Sequence, residues 1–494
     1  MLGMRTWPPD NGHYDVTKDP ETSVRIKQDT QSQLEFQSPV GIRATVQYFA
    51  RYEAISVLLD RHPEILEAMH RDLKGPLGRI AKGGRRGRFT SDTVLRTVLV
   101  KVIESLSFRE AVVRIDDSPR LRTFTRLFND PMMDYSTLCL LTNAVRPETW
   151  ELVNDLLARA AVAEERIHGE KLRLDTTAIE TNVHWPTDSH LLWDVHRTAC
   201  RLVRSVRRLA PVLVSEKRLH DRAAKKLHTR ISRASARKTE EGRKELKRLY
   251  GRQIRLVEGL LDWIPSLCAR LRKEGTRQVR SAVGLAMLDG LTQGLEHYRA
   301  LGVRAVDQAR RRVLHGEQVP NDEKLFSIFE PHTELLVRGK AGKDVEFGHM
   351  VSIHQVEGAF ITEYRVFAKR PADYTTVDRA LARHRQLFGA APEILAADKG
   401  YWESPEKMKE LSTKVACVSI GKKGSRNEAE RVREHSLAFR LGQMFRAGVE
   451  GTISYLKRAL RLSRCMNKGW LHYAATVGAT VFAHNLIVLA RGGG

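Results

Sequence analysis

The sequence predicts an α/β protein in which a mixed β-sheet is flanked by helices, with an all-α domain before it and a large α-helical insertion within it. Polar and apolar residues alternate over 171–177, which is the period of a β-strand. From Trp185 to about Val319 the apolar spacing is helical, and strand-like segments return only from Glu334 onwards. This order (β, helical insertion, ββ, α, β, α, β, α) is typical of a mixed sheet covered by helices.

The composition favours a polyanionic partner. The chain has 494 residues, with 83 Lys or Arg against 59 Asp or Glu, so its net charge is +24 and its pI is about 10.0. Nucleic acid is the first candidate for the partner and an anionic membrane surface is the second. The length is sufficient for about two to four domains with real cores.

The cysteines and the C-terminal apolar stretch both predict a cytoplasmic protein that does not enter a membrane. The five cysteines are widely spaced and never form a Cys-x-x-Cys pair, which argues against a disulfide framework and against a structural zinc site. The stretch from Trp470 to Leu489 approaches the length of a membrane span, but it carries His, Tyr, Thr and Asn residues. Such residues are costly in lipid, so a buried core helix is expected there.

Cap signals and composition divide the chain into five segments. Residues 1–43 form a flexible polar arm, and 44–168 carry short helices with polar turns. N-caps are predicted at Thr90-Ser91-Asp92, Ser107 with Glu110, Ser118-Pro119 and Asp134. Such a series suits either a helix-turn-helix-like DNA-binding domain or an ordinary helical packing domain, and the charge favours the first. The remaining segments are the first part of the sheet domain (169–184), the basic α-helical insertion (185–321) and the remainder of the sheet domain (322–494).

The insertion carries much of the positive charge. Between Arg197 and Arg255 there are 20 Lys or Arg and 5 Asp or Glu, a surplus of 15. Apolar residues at helical spacing would let its helices pair as a hairpin, namely Leu202, Val206, Leu209 and Val212 against Leu246, Leu249, Leu256 and Leu260. A solvated hairpin face would explain a charge run, but a surplus of this size in one module favours phosphate contact.

Two aspartates stand at strand ends. Asp175 ends the first strand, and Asp398 follows the short apolar strand Glu393–Ala397. Carboxylates at the ends of strands in an α/β sheet converge on one crevice, which is the usual place for a ligand.

A third acid, Glu450, lies on a long predicted helix from about Ser436 to Leu462. At about 100° per residue, Arg446, Glu450 and Lys457 fall within about 40° of one another, beside an apolar stripe. Glu450 is therefore expected at the margin of the buried face, where it can lean over the sheet.

Asp175, Asp398 and Glu450 are together the predicted catalytic residues and metal ligands. Three convergent carboxylates repel one another unless a cation lies between them. Oxygen ligands select Mg²⁺ or Mn²⁺, and two such ions can activate the attacking oxygen and stabilise the leaving oxygen of a phosphodiester.

Three segments resemble the catalytic blocks of DDE transposases from bacterial insertion sequences. They are Asp175-Thr176-Thr177-Ala178-Ile179-Glu180-Thr181-Asn182, Ala397-Asp398-Lys399-Gly400-Tyr401 and Arg446-x3-Glu450-x6-Lys457. The third is similar to the branch with a Tyr-x2-Arg-x3-Glu-x6-Lys signature, although Gln443 stands where that tyrosine is expected. Residues 92–145 also look like the helical N-terminal domain of these enzymes, so the likeness covers roughly residues 80–490.

The resemblance implies an RNase H-like catalytic core with a two-metal mechanism. In this family, water cuts at the transposon end and the released 3′-OH attacks target DNA. By position, Asp175 would bridge both ions, and Asp398 and Glu450 would each hold one. The residues expected to contact DNA are Arg446, Lys457, Lys399, Arg85, Arg86 and Arg88. The implied partners are double-stranded DNA, as terminal inverted repeats and target, and further copies of the chain in a homodimer or higher oligomer near the bacterial nucleoid.

Two alternatives remain open on the sequence. One is a non-enzymatic DNA-binding protein, either a decayed transposase or an architectural protein that uses only its basic helices. The other is an RNase H-like nuclease that cuts DNA without joining it. The insertion between Asp175 and Asp398 would serve dimer contacts or binding of the transposon end.

Overall fold

The computed structural model describes residues 42–74, 89–214, 217–340 and 343–491. Most of the predicted arm 1–43 lies outside these residues, and so do the predicted DNA contacts Arg85, Arg86 and Arg88. The chain divides into two compact units, one with the residues up to Ala160 and from Leu486 onwards, the other with Ala161–Asn485. The sheet and the helical insertion belong to the same unit.

Within the described residues, seven helices precede the first strand. They are α1 (Arg43–Arg61), α2 (Pro63–Leu73), α3 (Ser91–Ile103), α4 (Phe108–Asp116), α5 (Pro119–Phe124), α6 (Tyr135–Ala144) and α7 (Pro147–Ala163). Ser107 and Glu110 form the predicted capping box of α4, while Thr90, Ser118 and Asp134 cap α3, α5 and α6. The helical pattern from Thr45 to Leu73 is interrupted at Pro63, because proline lacks the amide hydrogen and is favoured at the first turn of a helix.

The described part of the insertion contains five helices rather than a simple hairpin. They are α8 (Asp188–Leu209), α9 (Asp221–Ala234), α10 (Glu240–Leu261), α11 (Ile264–Gln278) and α12 (Ala282–Ala309). Their apolar residues share one core, to which α8 contributes Val206 and α10 contributes Leu249 and Leu260. Val212, which the hairpin prediction placed in the pairing stripe, is 66% exposed because the helix has already ended.

Helices α9 and α10 turn their cations outward. We call this side of the two helices the basic surface, and its exposed residues are Arg222, Lys225, Lys226, Arg230, Arg233, Arg243, Lys244, Lys247, Arg248 and Arg252. Residues of the opposite side, such as Leu227 and Ile231 of α9, are buried in the core of the insertion. The charge and the apolar residues of these helices are thus separated onto two faces.

Six strands in the described residues form one mixed sheet. They are β1 (Lys171–Glu180), β2 (Glu334–Lys340), β3 (Lys343–Gln355), β4 (Ile361–Val366), β5 (Ile394–Ala397) and β6 (Cys417–Ile420). Strand β1 is antiparallel to β3 and parallel to β5, which is parallel to β6. Strands β2 and β4 both pair antiparallel with β3. The predicted mixed sheet flanked by helices is confirmed.

Two helices connect the later strands, namely α13 (Val377–Phe388) between β4 and β5 and α14 (Pro405–Lys414) between β5 and β6. Three more follow β6: α15 (Glu428–His435), α16 (Leu437–Arg458) and α17 (Trp470–Arg491). Leu172 and Leu174 of β1 share an apolar core with α13 and α14. Arg173, between them, reaches α16 instead, because successive side chains of a strand point to opposite faces. Asp175 follows Arg173 by two residues and therefore belongs to the face that α16 covers.

Helix α17 is the apolar C-terminal stretch that the sequence predicts to be buried. Among the described helices it is the one long and apolar enough to cross a membrane, but 83% of its apolar window is buried. Its Tyr473 hydroxyl donates to the carbonyl of Ile179 (2.8 Å), and the amide of Asn485 bonds both backbone groups of Ile361 (3.0 and 2.8 Å). Through these hydrogen bonds, the polar groups of Tyr473 and Asn485 are paired with the backbone of β1 and β4.

Helix α16 is close enough to β6 that it requires a glycine at the contact. A Cβ on Gly442 would collide with the side chain of Ser419 and lie 3.2 Å from Ile394 Cγ2. We expect Gly442→Ala to lower the free energy of unfolding by about 1–3 kcal/mol, because the helix must move away from the sheet. The measurement is the midpoint of urea unfolding followed by circular dichroism.

The matched control is Gly451→Ala on the same helix, where an added Cβ meets no atom within 4 Å. That variant should be more stable than the parent protein by up to about 1 kcal/mol, since alanine favours the helix. Equal shifts of the unfolding midpoint in both variants would contradict this account of the contact.

Candidate active site

Asp175 and Asp398 lie level with each other on neighbouring parallel strands, at the carboxyl end of β5. Strands β1 and β5 are parallel, with Arg173 paired to Ala396, so residues two positions further along both strands are level. Asp175 is half-buried and its Oδ1 accepts a hydrogen bond from the amide of Thr176 (2.7 Å). Asp398 is exposed and caps the short turn Lys399–Tyr401, where its Oδ1 accepts from the amide of Gly400 (2.7 Å).

A third aspartate, Asp373, lies beside them. Its Oδ1 accepts a hydrogen bond from the hydroxyl of Thr176 (3.1 Å), the neighbour of Asp175. A Cβ on Gly400 would lie 2.9 Å from Asp398 Oδ1 and 3.1 Å from Asp373 Oδ2. These two oxygens are therefore within about 6 Å of each other, a distance at which like charges repel. We call Asp175, Asp373 and Asp398 the acid cluster.

Sequence analysis missed Asp373. The residue stands in the turn between β4 and α13, in Pro371-Ala372-Asp373, where an acid before a helix is ordinary. The one local signal is that it follows a strand and precedes a helix, as a ligand-binding acid of an α/β sheet does. Its nearness to Gly400 depends on how α13 packs on β1.

Tyr401 lies beneath the acid cluster. It is 1% exposed, and its hydroxyl makes no hydrogen bond of good geometry to any described residue. Burial, together with the negative charges of Asp373, Asp175 and Asp398, raises the pKa of Tyr401 well above its ordinary value. The hydroxyl therefore stays protonated, so it can donate a hydrogen bond to the acidic edge but adds no charge to it.

Glu450 is on the predicted side of α16, but the structure does not join it to the two predicted aspartates. Its side chain is 69% exposed, and among the described residues its carboxylate pairs with Arg446 alone (3.3 Å, one helical turn away). The same side of α16 carries Gln443, whose amide donates to the carbonyls of Ala397 (3.3 Å) and Ser419 (2.6 Å). Ala397 immediately precedes Asp398, so this side of the helix faces the carboxyl end of β5.

Gln443, where the resemblance would have a tyrosine, thus has a structural role of its own. Its amide satisfies two carbonyls at the ends of β5 and β6 and fixes the rotation of α16 about its axis. Glu450 lies two turns further along the same side of α16.

The predicted DNA-contacting cations in the described residues lie on α16 and in the turn after Asp398. Arg446 and Lys457 are half-buried on α16, and Lys399 is exposed in the turn after Asp398. Arg446 donates a hydrogen bond to Glu450. The aliphatic part of the Lys399 side chain packs beside Gly421, so that a Cβ added to this glycine would lie 3.4 Å from Lys399 Cγ. Cations so close to a set of carboxylates suit a site that binds a phosphodiester.

The acid cluster has the donor set of a hard divalent cation. Its ligands are carboxylate oxygens, which select Mg²⁺ or Mn²⁺. In the described part of the chain, two groups of three potential metal-ligating residues have all their ligand atoms within 4.8 Å of one another. They are His184-His190-Asp194 and His196-Cys200-Asp221. The acid cluster is more widely spaced than these, as carboxylates that share two ions a few ångströms apart can be.

We expect Asp373→Asn to weaken Mn²⁺ binding by about tenfold, because the variant removes one negative charge and one oxygen ligand from the acid cluster. Mn²⁺ affinity is measured by electron paramagnetic resonance on the full chain. The control is Asp378→Asn, which removes the same charge from the exposed start of α13, where Asp378 pairs with Lys407 (2.6 Å). Equal Mn²⁺ affinities in the two variants would exclude Asp373 as a ligand.

Neither a family model, nor a curated protein, nor a solved structure matches this chain. Its function is therefore inferred from the acid cluster, from the cations beside it and from the basic surface of the insertion.

Proposed function

We propose that the protein is a metal-dependent DNA transposase of the DDE type, which cleaves at transposon ends and joins the 3′-OH to target DNA. The observation that supports the proposal is the register of the parallel strands β1 and β5, which sets Asp175 and Asp398 level with each other, next to a helix that carries Arg446 and Glu450. Carboxylates and cations at one site are the combination that phosphodiester chemistry requires.

The proposed core is RNase H-like. The support for this is the sheet itself, in which the antiparallel strands β2, β3 and β4 lie on one side of β1 and the parallel strands β5 and β6 on the other. Asp175 lies in the middle of the central strand β1, which continues to Glu180 instead of ending at Asp175 as the sequence predicts, and Asp398 directly follows the parallel neighbour β5. The helical insertion interrupts the chain between β1 and β2 without interrupting the sheet.

In the proposed mechanism, Asp175, Asp398 and Glu450 would hold the two metal ions, and Asp175 would contribute to both. When bound, the two ions supply Lewis-acid activation of the attacking oxygen and stabilisation of the leaving oxygen. Arg446 holds the carboxylate of Glu450 and, with Lys457, presents positive charge to the phosphate. Glu450 would have to turn towards the aspartates to hold metal with them, and its exposed carboxylate, paired with Arg446 among the described residues, leaves room for that movement.

The proposed substrate is double-stranded DNA, and the basic surface of α9 and α10 supports this. The exposed cations of these helices concentrate positive charge on the insertion, and such a concentration of Lys and Arg favours contact with the phosphates of a duplex. The joining of two transposon ends calls for at least two copies of the chain, so we propose a homodimer or higher oligomer on DNA.

Asp175→Asn should abolish strand cleavage and leave DNA binding almost unchanged, because the variant removes a metal ligand and leaves the basic surface intact. The substrate is a linear DNA fragment that carries the sequences flanking the coding region, with Mg²⁺ present, and products are resolved on a denaturing gel. Asp289→Asn, on the exposed side of α12, is the charge-matched control. Mg²⁺-dependent cutting by Asp175→Asn would refute the assignment.

The same assay separates the alternatives. A nuclease that does not join DNA would give nicked or cut products and no strand-transfer product with a labelled end. A decayed or architectural DNA-binding protein would bind the fragment and give neither product, with Asp175→Asn behaving as the parent protein does.

The double variant Lys225→Ala/Lys226→Ala should bind DNA more weakly and with less dependence on salt. If both lysines contact phosphates, the slope of log affinity against log salt concentration should become shallower by about 1.8. Lys407→Ala/Lys414→Ala is the control, because both lysines are paired with acids on or near α14. Equal slopes in the two double variants would show that this part of the basic surface does not contact DNA.

A further inference from the structure

Three potential metal ligands gather where the chain leaves β1 and enters the insertion. His184 lies in the connection after β1, and His190 and Asp194 lie one helical turn apart on α8. The ligand atoms of the three residues all lie within 4.8 Å of one another. None of them belongs to the acid cluster or to the proposed reaction.

The distances between these atoms are close to those of a coordination shell. His184 Nε2 lies 3.7 Å from Asp194 Oδ2, and His190 Nε2 lies 3.8 Å from Asp194 Oδ1. Both distances are too long for hydrogen bonds. A tetrahedral zinc ion with bonds of about 2.0–2.1 Å holds its ligand atoms roughly 3.3 Å apart, so only small movements are needed.

Asp194 gives the second, independent observation. Its side chain is 1% exposed, and Oδ1 accepts a hydrogen bond from Arg197 Nε (2.7 Å). Oδ2 is buried and has no hydrogen-bond donor among the described residues. A buried carboxylate oxygen without a partner is costly, and a cation bound between Oδ2 and the two imidazoles would remove that cost.

The start of α8 is held rigidly, so the ligands are positioned before any ion binds. Thr187 caps the helix by accepting from the amide of His190 (3.2 Å). Asp188 accepts two hydrogen bonds from side chains near the end of α12. One comes from Gln308 Nε2 in the last turn of the helix (2.8 Å), and the other from Arg312 Nη1 just beyond it (2.8 Å). Rigid support of this kind lowers the entropic cost of binding an ion.

A further imidazole, that of His228, lies beside this group. The ring of His228 lies 5.0 Å from that of His190. Ser189 Oγ donates its hydrogen to Gln253 Oε1 (2.9 Å), so it accepts from His228 Nδ1 (3.0 Å) and leaves a lone pair on His228 Nε2.

The other group of this kind, His196, Cys200 and Asp221, has partners for the atoms that a shared ion would need. His196 Nε2 donates to the carbonyl of Leu219 (2.8 Å), and Asp221 forms an ion pair with Arg204. Only His196 Nδ1, the other ring nitrogen, is buried without a hydrogen-bond partner among the described residues. The contrast singles out the group on α8.

We propose that His184, His190 and Asp194 form a binding site for a divalent transition-metal ion, Zn²⁺ in the first place, with His228 as the nearest fourth ligand. Two imidazoles and a carboxylate are a zinc donor set, whereas Mg²⁺ prefers oxygen ligands alone. Cysteine spacing predicts no structural zinc site, but this site contains no cysteine. The bound ion ties the connection after β1 to the first helix of the insertion.

The test is Zn²⁺ binding to the full chain, without a histidine tag and stripped of metal, in excess Mg²⁺ so that the acid cluster is occupied. Competition with a chromophoric zinc chelator gives stoichiometry and affinity. We expect one Zn²⁺ per chain, a higher melting temperature with Zn²⁺, and a Co²⁺ complex with the intense visible bands of tetrahedral coordination.

His190→Ala should weaken Zn²⁺ binding by roughly tenfold or more, and it removes only a half-buried side chain, so the fold is retained. His297→Ala, at an exposed histidine of α12, is the control and should bind as the parent protein does. Asp194→Asn tests the carboxylate, with circular dichroism to confirm folding. Absence of stoichiometric binding, or equal affinity in His190→Ala and His297→Ala, would overturn the proposal.

Discussion

A buried cation, Arg173, joins the strand that carries Asp175 to the helix that carries Glu450. Its Nε donates to Gln355 Oε1 (2.7 Å), its Nη1 donates to the carbonyl of Phe445 (2.6 Å), and its guanidinium lies 4.6 Å from the centre of the Phe445 ring. Burial lowers its pKa to about 10, so it remains charged at neutral pH. Because a buried charge without acceptors is very costly, β1, β3 and α16 pack only in the arrangement that supplies them.

That arrangement explains why the acids and the cations of the candidate site lie where they do. Gln355, held by Arg173, also donates to Thr452 of α16 (2.8 Å), which follows Glu450 by two residues and lies on the buried side of the helix. Glu450 itself remains exposed, as a residue that must meet DNA and metal would. On the other face of the sheet, Tyr401 places a neutral hydroxyl under the acid cluster, so the edge gains a hydrogen-bond donor without further charge.

The residues that could be predicted from the sequence are those whose roles depend on neighbours in the chain. The capping box of Ser107 and Glu110, the alternation of β1 and the shared side of Arg446 and Glu450 all arise from backbone periods. Asp373 could not be found in this way, because its neighbours Gly400 and Thr176 are distant in sequence. The His184, His190 and Asp194 group was missed for a similar reason, since a one-turn His-Asp spacing on a helix is common and only burial shows that Asp194 lacks a donor.

The sequence predicted that Asp175 ends β1, and this was wrong, because the strand continues to Glu180. The sequence by itself did determine the mixed sheet flanked by helices, the position of Asp398 directly after a strand and the basic character of the insertion. These features depend on side-chain periodicity and on net charge, which are local or additive properties. The tertiary structure decided which acids come together, how α16 is rotated and which carboxylate oxygen is left buried without a donor. Such properties depend on distances between segments far apart in the chain, and packing and the desolvation of charge fix those distances only once the chain has folded.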